Sequence, residues 1–94
     1  MISIVWSDSA LDDLDSIRDY IAQFHPRAAT EFVERLRAAA NALATFPSRG
    51  RGVIGEESLR ELTVVYPYII RYENVGTTVT ILDIRHGMRR DGDD

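Results

Sequence analysis

His25 and Pro26 stand between two stretches that carry the same helical stripe, and a link that short leaves two helices only an antiparallel arrangement. In the first stretch Ala10, Leu14, Ile17, Ile21 and Phe24 advance by four, three, four and three residues, which predicts a helix over 8–24 with one buried face. Ser7 is placed to cap it, and Asp8, Asp12, Asp15 and Asp19 fall on the opposite, solvated side. Proline suits the first position of a helix, so the second begins at Pro26 and runs to about residue 46. Its buried set is Ala29, Phe32, Val33, Leu36, Ala40 and Leu43. His25 reads as a turn or capping residue.

The flanking segments alternate with period two. Ile2, Ile4 and Trp6 form the apolar face of a short N-terminal strand. Phe46-Pro47 ends the helical region, and Ser48-Arg49-Gly50-Arg51-Gly52 reads as a loop, with a brief strand near Val53-Ile54. Leu59–Val65 follows, with Arg60, Leu62 and Val64 on one face. Tyr66-Pro67 makes the turn, and Tyr68, Ile70 and Tyr72 line one face of the next strand. After the turn at Asn74-Val75-Gly76, Thr77–His86 is the last strand. Its apolar residues change phase between Ile81 and Leu82, so either both faces are covered or a bulge intervenes; a central, largely buried strand is preferred.

The order predicts an α+β domain: a strand, an antiparallel helical hairpin, then a three- to four-stranded, mainly antiparallel sheet. A single domain spans 1–90, and 91–94 form a flexible acidic tail. With 94 residues the core is small, so a partner can add appreciably to its stability.

Charge and residue usage narrow the chemistry. The chain has no cysteine, no lysine and 11 arginines, so its cations are permanent, planar forks suited to carboxylate or phosphate. Absence of cysteine fits a reducing compartment, no apolar run is long enough to span a bilayer, and a cytoplasmic location is expected. Residues 1–47 hold four arginines against seven acids, whereas 48–90 hold seven against five. The net charge of −4 argues against gripping an extended phosphate backbone and leaves room for a local anion or acidic-partner site. That site is expected among Arg49, Arg51, Arg60, Arg71, Arg89 and Arg90. Phosphodiester cleavage without a metal would draw on Arg60, Arg85 and His86, with Glu61 or Glu73 as a partner base. Two distant histidines and no cysteine give no metal-ligand spacing, and no cofactor fingerprint is present. Trp6, Tyr66, Tyr68 and Tyr72 are read as core rather than as stacking platforms.

WSDSALDDLDSIRDYI, PRAATEFVERL, FPSRGR before LRELTV, YPYIIRYE and VTILDIRHGMR, in this order and spacing, resemble the ParE/RelE superfamily of type II toxin-antitoxin toxins over nearly the whole chain. The resemblance implies a strand, a helical hairpin and a curved antiparallel sheet. It also implies a cognate antitoxin, a hetero-oligomeric complex with it, and a role in growth inhibition or plasmid stabilization. RelE-like members are ribosome-dependent mRNA endonucleases that work without a metal; ParE-like members poison DNA gyrase with no recognised hydrolytic site. In RelE-like members basic residues from the loop and middle strands, with a histidine or tyrosine near the end of the last strand, surround the scissile phosphate. Arg60 and His86 fall near those positions. The chain has no lysine and no tyrosine after Tyr72, and its RELTV and LDIRHGMR segments look closer to ParE-like toxins. Gyrase inhibition is therefore the first expectation, mRNA cleavage on the ribosome the second, and a non-toxic interaction module the third.

Overall fold

The structure, a computed structural model, describes residues 1–87; Arg89, Arg90 and the acidic stretch 91–94 lie outside the described residues. Strand β1 (Ser3–Trp6) leads into helices α1 (Asp8–Ala22) and α2 (Pro26–Asn41), a single 3₁₀ turn (Ala42–Ala44), and strands β2 (Arg51–Val53), β3 (Glu56–Val65), β4 (Tyr68–Val75) and β5 (Thr78–His86). The strands form one sheet in the order β1-β5-β4-β3-β2, antiparallel except where β1 runs parallel to β5. The helical hairpin thus carries the chain from one edge of the sheet to the other and covers one face. This is the expected α+β arrangement, with four strands after the hairpin.

The core lies between that face and the helices. Ala10, Leu14 and Ile17 of α1, and Val33, Leu36 and Ala40 of α2, pack against Leu62, Val65, Tyr68, Ile70, Tyr72, Val79, Ile81 and Ile84. Ile4 and Trp6 are partly buried beside them, which bears out the alternation in β1. None of the described helices is long and apolar enough to cross a membrane.

Element ends differ from expectation for local reasons. Helix α1 stops at Ala22, and Phe24 lies outside the stripe, 62% exposed, with its ring edge-on to Tyr20 at 5.7 Å. Pro26 disfavours helical backbone at His25, which sits at φ −146°, ψ 81° as the N-cap of α2. Helix α2 ends at Asn41, and the tighter turn that follows brings Leu43 into the core. In β3 the register shifts between Leu62 and Val65, so Val65 faces inward and Val64, placed by alternation on the face of Leu62, is 45% exposed.

The phase change in β5 is a bulge. Arg71 pairs with Asp83 and Tyr72 with Ile81, leaving Leu82 as the extra residue; the strand is central, between β1 and β4. The N-terminal turn of α1 supports this bulge from the β1 side. Ser7 caps the helix as expected, its hydroxyl accepting from the Ala10 N–H at 3.0 Å, and the same hydroxyl donates to the Leu82 carbonyl at 2.8 Å. Asp13 Oδ2 accepts the Ile84 N–H at 2.8 Å. Side chains from α1 therefore continue the edge bonding after β1 has ended. Asp13→Ala is expected to lower stability by about 1–3 kcal/mol, read as a lower urea midpoint at unchanged slope, because a half-buried amide loses a charged acceptor.

Candidate functional site: an arginine loop clasped by Tyr72 and Arg60

Alternation along β4 sends Tyr68, Ile70 and Tyr72 toward the helices, and Tyr72 has no exposed surface. A tyrosine hydroxyl in such a place must find partners. It finds two in the loop after α2: it donates to the Pro47 carbonyl at 2.7 Å and accepts the Gly50 N–H at 2.9 Å. Arg60, which faces Tyr72 across the β3–β4 pair, adds two more bonds. Its Nη1 donates to the Ser48 carbonyl at 3.2 Å and to the Gly50 carbonyl at 2.7 Å. Four residues of irregular backbone are thereby tied to the sheet by two side chains.

Gly50 is required for this approach. A Cβ there would lie 2.7 Å from both Tyr72 Cε1 and its hydroxyl oxygen, and 3.0 Å from the Glu61 carbonyl. The glycine-containing loop is held close to the core at this point.

Burial pushes the Tyr72 hydroxyl above its ordinary value of 10.0, against the smaller opposing effects of the Gly50 N–H and the Arg60 charge. The fold thus favours the protonated hydroxyl. The stabilisation it contributes is fully present below the ordinary value and is lost as pH rises through the raised one. Across neutral pH the clasp is expected to be constant. In alkaline solution the unfolding free energy of the natural chain should fall toward that of Tyr72→Phe, and a parallel pair of pH profiles would refute it.

The uncovered face of the sheet carries a ladder of alternating charge. Arg51 of β2 faces Glu61 of β3, Glu61 faces Arg71 of β4, and Arg71 faces Asp83 of β5. Arg51 meets Glu61 at 3.2 Å, Arg71 meets Asp83 at 3.2 Å, and Arg85 meets the same carboxylate at 3.6 Å. Facing opposite charges on adjacent strands stabilise a sheet by about 0.2–1 kcal/mol each. They also cancel much of the local positive field.

The sequence-predicted site residues are consequently dispersed. Arg60 and His86 share the helix-side face, but Arg60 pairs with Tyr72 on one side of β4 and His86 pairs with Tyr68 on the other. Two strand spacings across and four residues along separate their backbones by about 16 Å. His86 instead stacks edge-on against Tyr68 at 5.4 Å, and Tyr68 against Phe32 of α2 at 5.7 Å. Arg85 lies on the opposite face with Arg71 and Asp83. The three residues considered for phosphodiester cleavage are not brought around one phosphate-sized position. Arg49, Arg51 and Arg60 do gather at one end of the sheet, each in a different state: Arg60 bonds the loop, Arg51 pairs with Glu61, and Arg49 meets no carboxylate among the described residues. Tyr66, read as core, is 73% exposed; Tyr72, also read as core, is buried as expected, but its clasp on the loop and the need for Gly50 were not foreseen. The available signal was a hydroxyl at a position whose alternation demands burial.

Comparison with known proteins agrees with this architecture. The chain is 49% identical over 89 residues to Toxin RelE2 of Caulobacter vibrioides, covering 95% of this chain and 99% of that one. It is 31% identical over 91 residues to Toxin RelE1 of the same organism, covering 94% and 96%. A chain of the solved chromosomal ParDE TA system from P. aeruginosa superposes with a TM-score of 0.79 at 27% identity, over 92% of this chain and 96% of that one. The family model described as the ParE toxin of the type II toxin-antitoxin system, parDE, matches residues 4–91, and the chain belongs to that family.

Proposed function

We propose that this chain is a ParE-like toxin that inhibits DNA gyrase in the cytoplasm and is neutralised by a cognate antitoxin in a hetero-oligomeric complex. The observation that carries the choice of target is the use to which Arg60 is put. Its guanidinium is engaged with the Ser48 and Gly50 carbonyls, about 16 Å of backbone from His86, with Arg85 on the other face. A metal-independent ribonuclease needs an acid, a base and cations around one phosphate, and this arrangement offers scaffolding in their place. The match to the ParE toxin family supports the same reading. The contact surface for target or antitoxin is the arginine-bearing end of the sheet, with Arg49 and Arg51 foremost and Arg71 at the ladder's centre.

Ribosome-dependent mRNA cleavage is the second reading, favoured by the 49% identity to Toxin RelE2. The two separate in one experiment. Expressed without antitoxin, the chain is expected to arrest growth, to inhibit gyrase supercoiling and to leave mRNA intact on translating ribosomes. Cleaved mRNA that becomes intact with His86→Ala, together with unaffected supercoiling, would replace the first reading by the second. A chain that causes no arrest at all would leave the non-toxic interaction module.

A further inference from the structure

Arg49 stands apart from the other cations of the sheet and its loop. Arg51, Arg71 and Arg85 each meet a carboxylate and Arg60 is committed to backbone carbonyls, whereas the Arg49 guanidinium has neither among the described residues. Yet its backbone is held by several hydrogen bonds. The Arg49 N–H donates to the Phe46 carbonyl at 3.1 Å, and the residues on both sides are fastened by Tyr72 and Arg60. Fixed backbone has already lost the loop freedom that binding would otherwise cost, so that only the Arg49 side chain is left to order.

Its surroundings are apolar on one side and mixed on the other. Arg49 forms the rim shared by two open grooves, one walled mainly by Phe46 and Pro47, the other by Arg51, Glu61, Thr63 and Val64. Phe46 is 66% exposed in the first, and Val64 45% exposed in the second. The Phe46 and Pro47 side chains offer a phosphate backbone no donor, and in the second groove Arg51 is already paired with Glu61 at 3.2 Å. The net charge of −4 disfavours an extended polyanion more than a segment that brings one or two carboxylates to the loop.

We propose that the Arg49 loop is a preformed docking site for an acidic, amphipathic segment of a partner protein. A carboxylate of that segment bonds to Arg49, and a neighbouring aromatic or aliphatic side chain covers Phe46 and Pro47. Arg60 and Tyr72 are positioning residues that hold the loop and do not touch the partner. The proposal rests on the reading of the chain as an antitoxin-neutralised toxin, and assigns the antitoxin segment that occupies this site its chemistry.

The test uses the full chain, immobilised, and a displayed library of random 12-residue peptides; selected peptides are then measured by fluorescence anisotropy. The expected sequences place Asp or Glu beside an aromatic or aliphatic residue. Arg49→Ala and Phe46→Ser should each weaken them about tenfold or more, while Arg18→Ala, which removes a cation paired with Asp15 on α1, changes them less than about threefold. Tyr72→Phe should also weaken them, and Tyr72→Phe with Arg49→Ala should be no weaker than Arg49→Ala alone, because both act through one contact. Peptides without acids, peptides indifferent to Arg49→Ala, or displacement by single-stranded oligouridylate would overturn the proposal. The parent reading is scored separately by growth arrest. Arrest with Arg49-independent peptides removes the docking site only, and absence of arrest removes both.

Discussion

Tyr72→Ala is expected to lower the stability of the domain by about 3–5 kcal/mol, the range for truncating a fully buried aromatic side chain. Native domains hold only about 5–15 kcal/mol, so little would remain. At roughly 4 °C or more per kcal/mol for a chain of this size, the thermal midpoint should drop by about 12 °C or more. Tyr72→Phe separates the two contributions of this residue. It keeps the ring among Ile70, Leu62 and Ile81 and removes the hydroxyl, leaving the buried Gly50 N–H and the Pro47 carbonyl without that partner. Its expected cost is about 1–3 kcal/mol. Urea unfolding of the two variants checks the partition. If Tyr72→Phe matches the natural chain while Tyr72→Ala collapses, the residue is a core ring only and the clasp contributes nothing.

The helical hairpin was legible because each helix repeats its apolar residues often enough for the period to be unmistakable, and because Pro26 marks the boundary. The hairpin of β3 and β4 was legible for the same reason: Tyr68, Ile70 and Tyr72 alternate without interruption. Both bulges were harder. Whether Val64 or Val65 turns inward depends on where β3 pairs with β4, and the Leu82 bulge depends on β5 being fastened to α1 by Ser7 and Asp13, whose partners lie more than 70 residues away. Local alternation raised the second possibility and had no means to choose it.

The site was legible in composition and not in arrangement. Counting arginines located the cationic end of the chain, but an arginine that bonds carbonyls and one that awaits a ligand are the same letter. Which of them Arg60 is depends on the loop folding back 10 to 12 residues in sequence to meet it. The charge ladder is likewise a property of register: Arg51, Glu61, Arg71 and Asp83 become neighbours only once four strands are aligned. That alignment pairs Arg51 and Arg71 with carboxylates, with Arg85 beside Asp83, and leaves Arg49 without a carboxylate among the described residues.

Gly50→Ala attacks the clasp from the loop side. The substitution inserts a methyl group 2.7 Å from a phenol that has no exposed surface and 3.0 Å from a strand carbonyl, so the contact cannot be relieved by a flexible side-chain tip. Overpacking of this kind costs about 1–3 kcal/mol. Gly52, two residues on, has nothing within 4 Å of its added Cβ, and Gly52→Ala should stay within about 0.5 kcal/mol of the natural chain. The contrast distinguishes a steric requirement from a general need for glycine in the loop. A double variant carries the argument further. Tyr72→Phe removes the hydroxyl oxygen that the new methyl strikes but leaves Cε1 at the same 2.7 Å, so Gly50→Ala should cost less in the Tyr72→Phe background without becoming neutral. Strict additivity would mean that the loop has moved away from Tyr72 before the second change is made. In that event the loop would no longer be held by the phenol, and Arg49 would owe its placement to Arg60 alone.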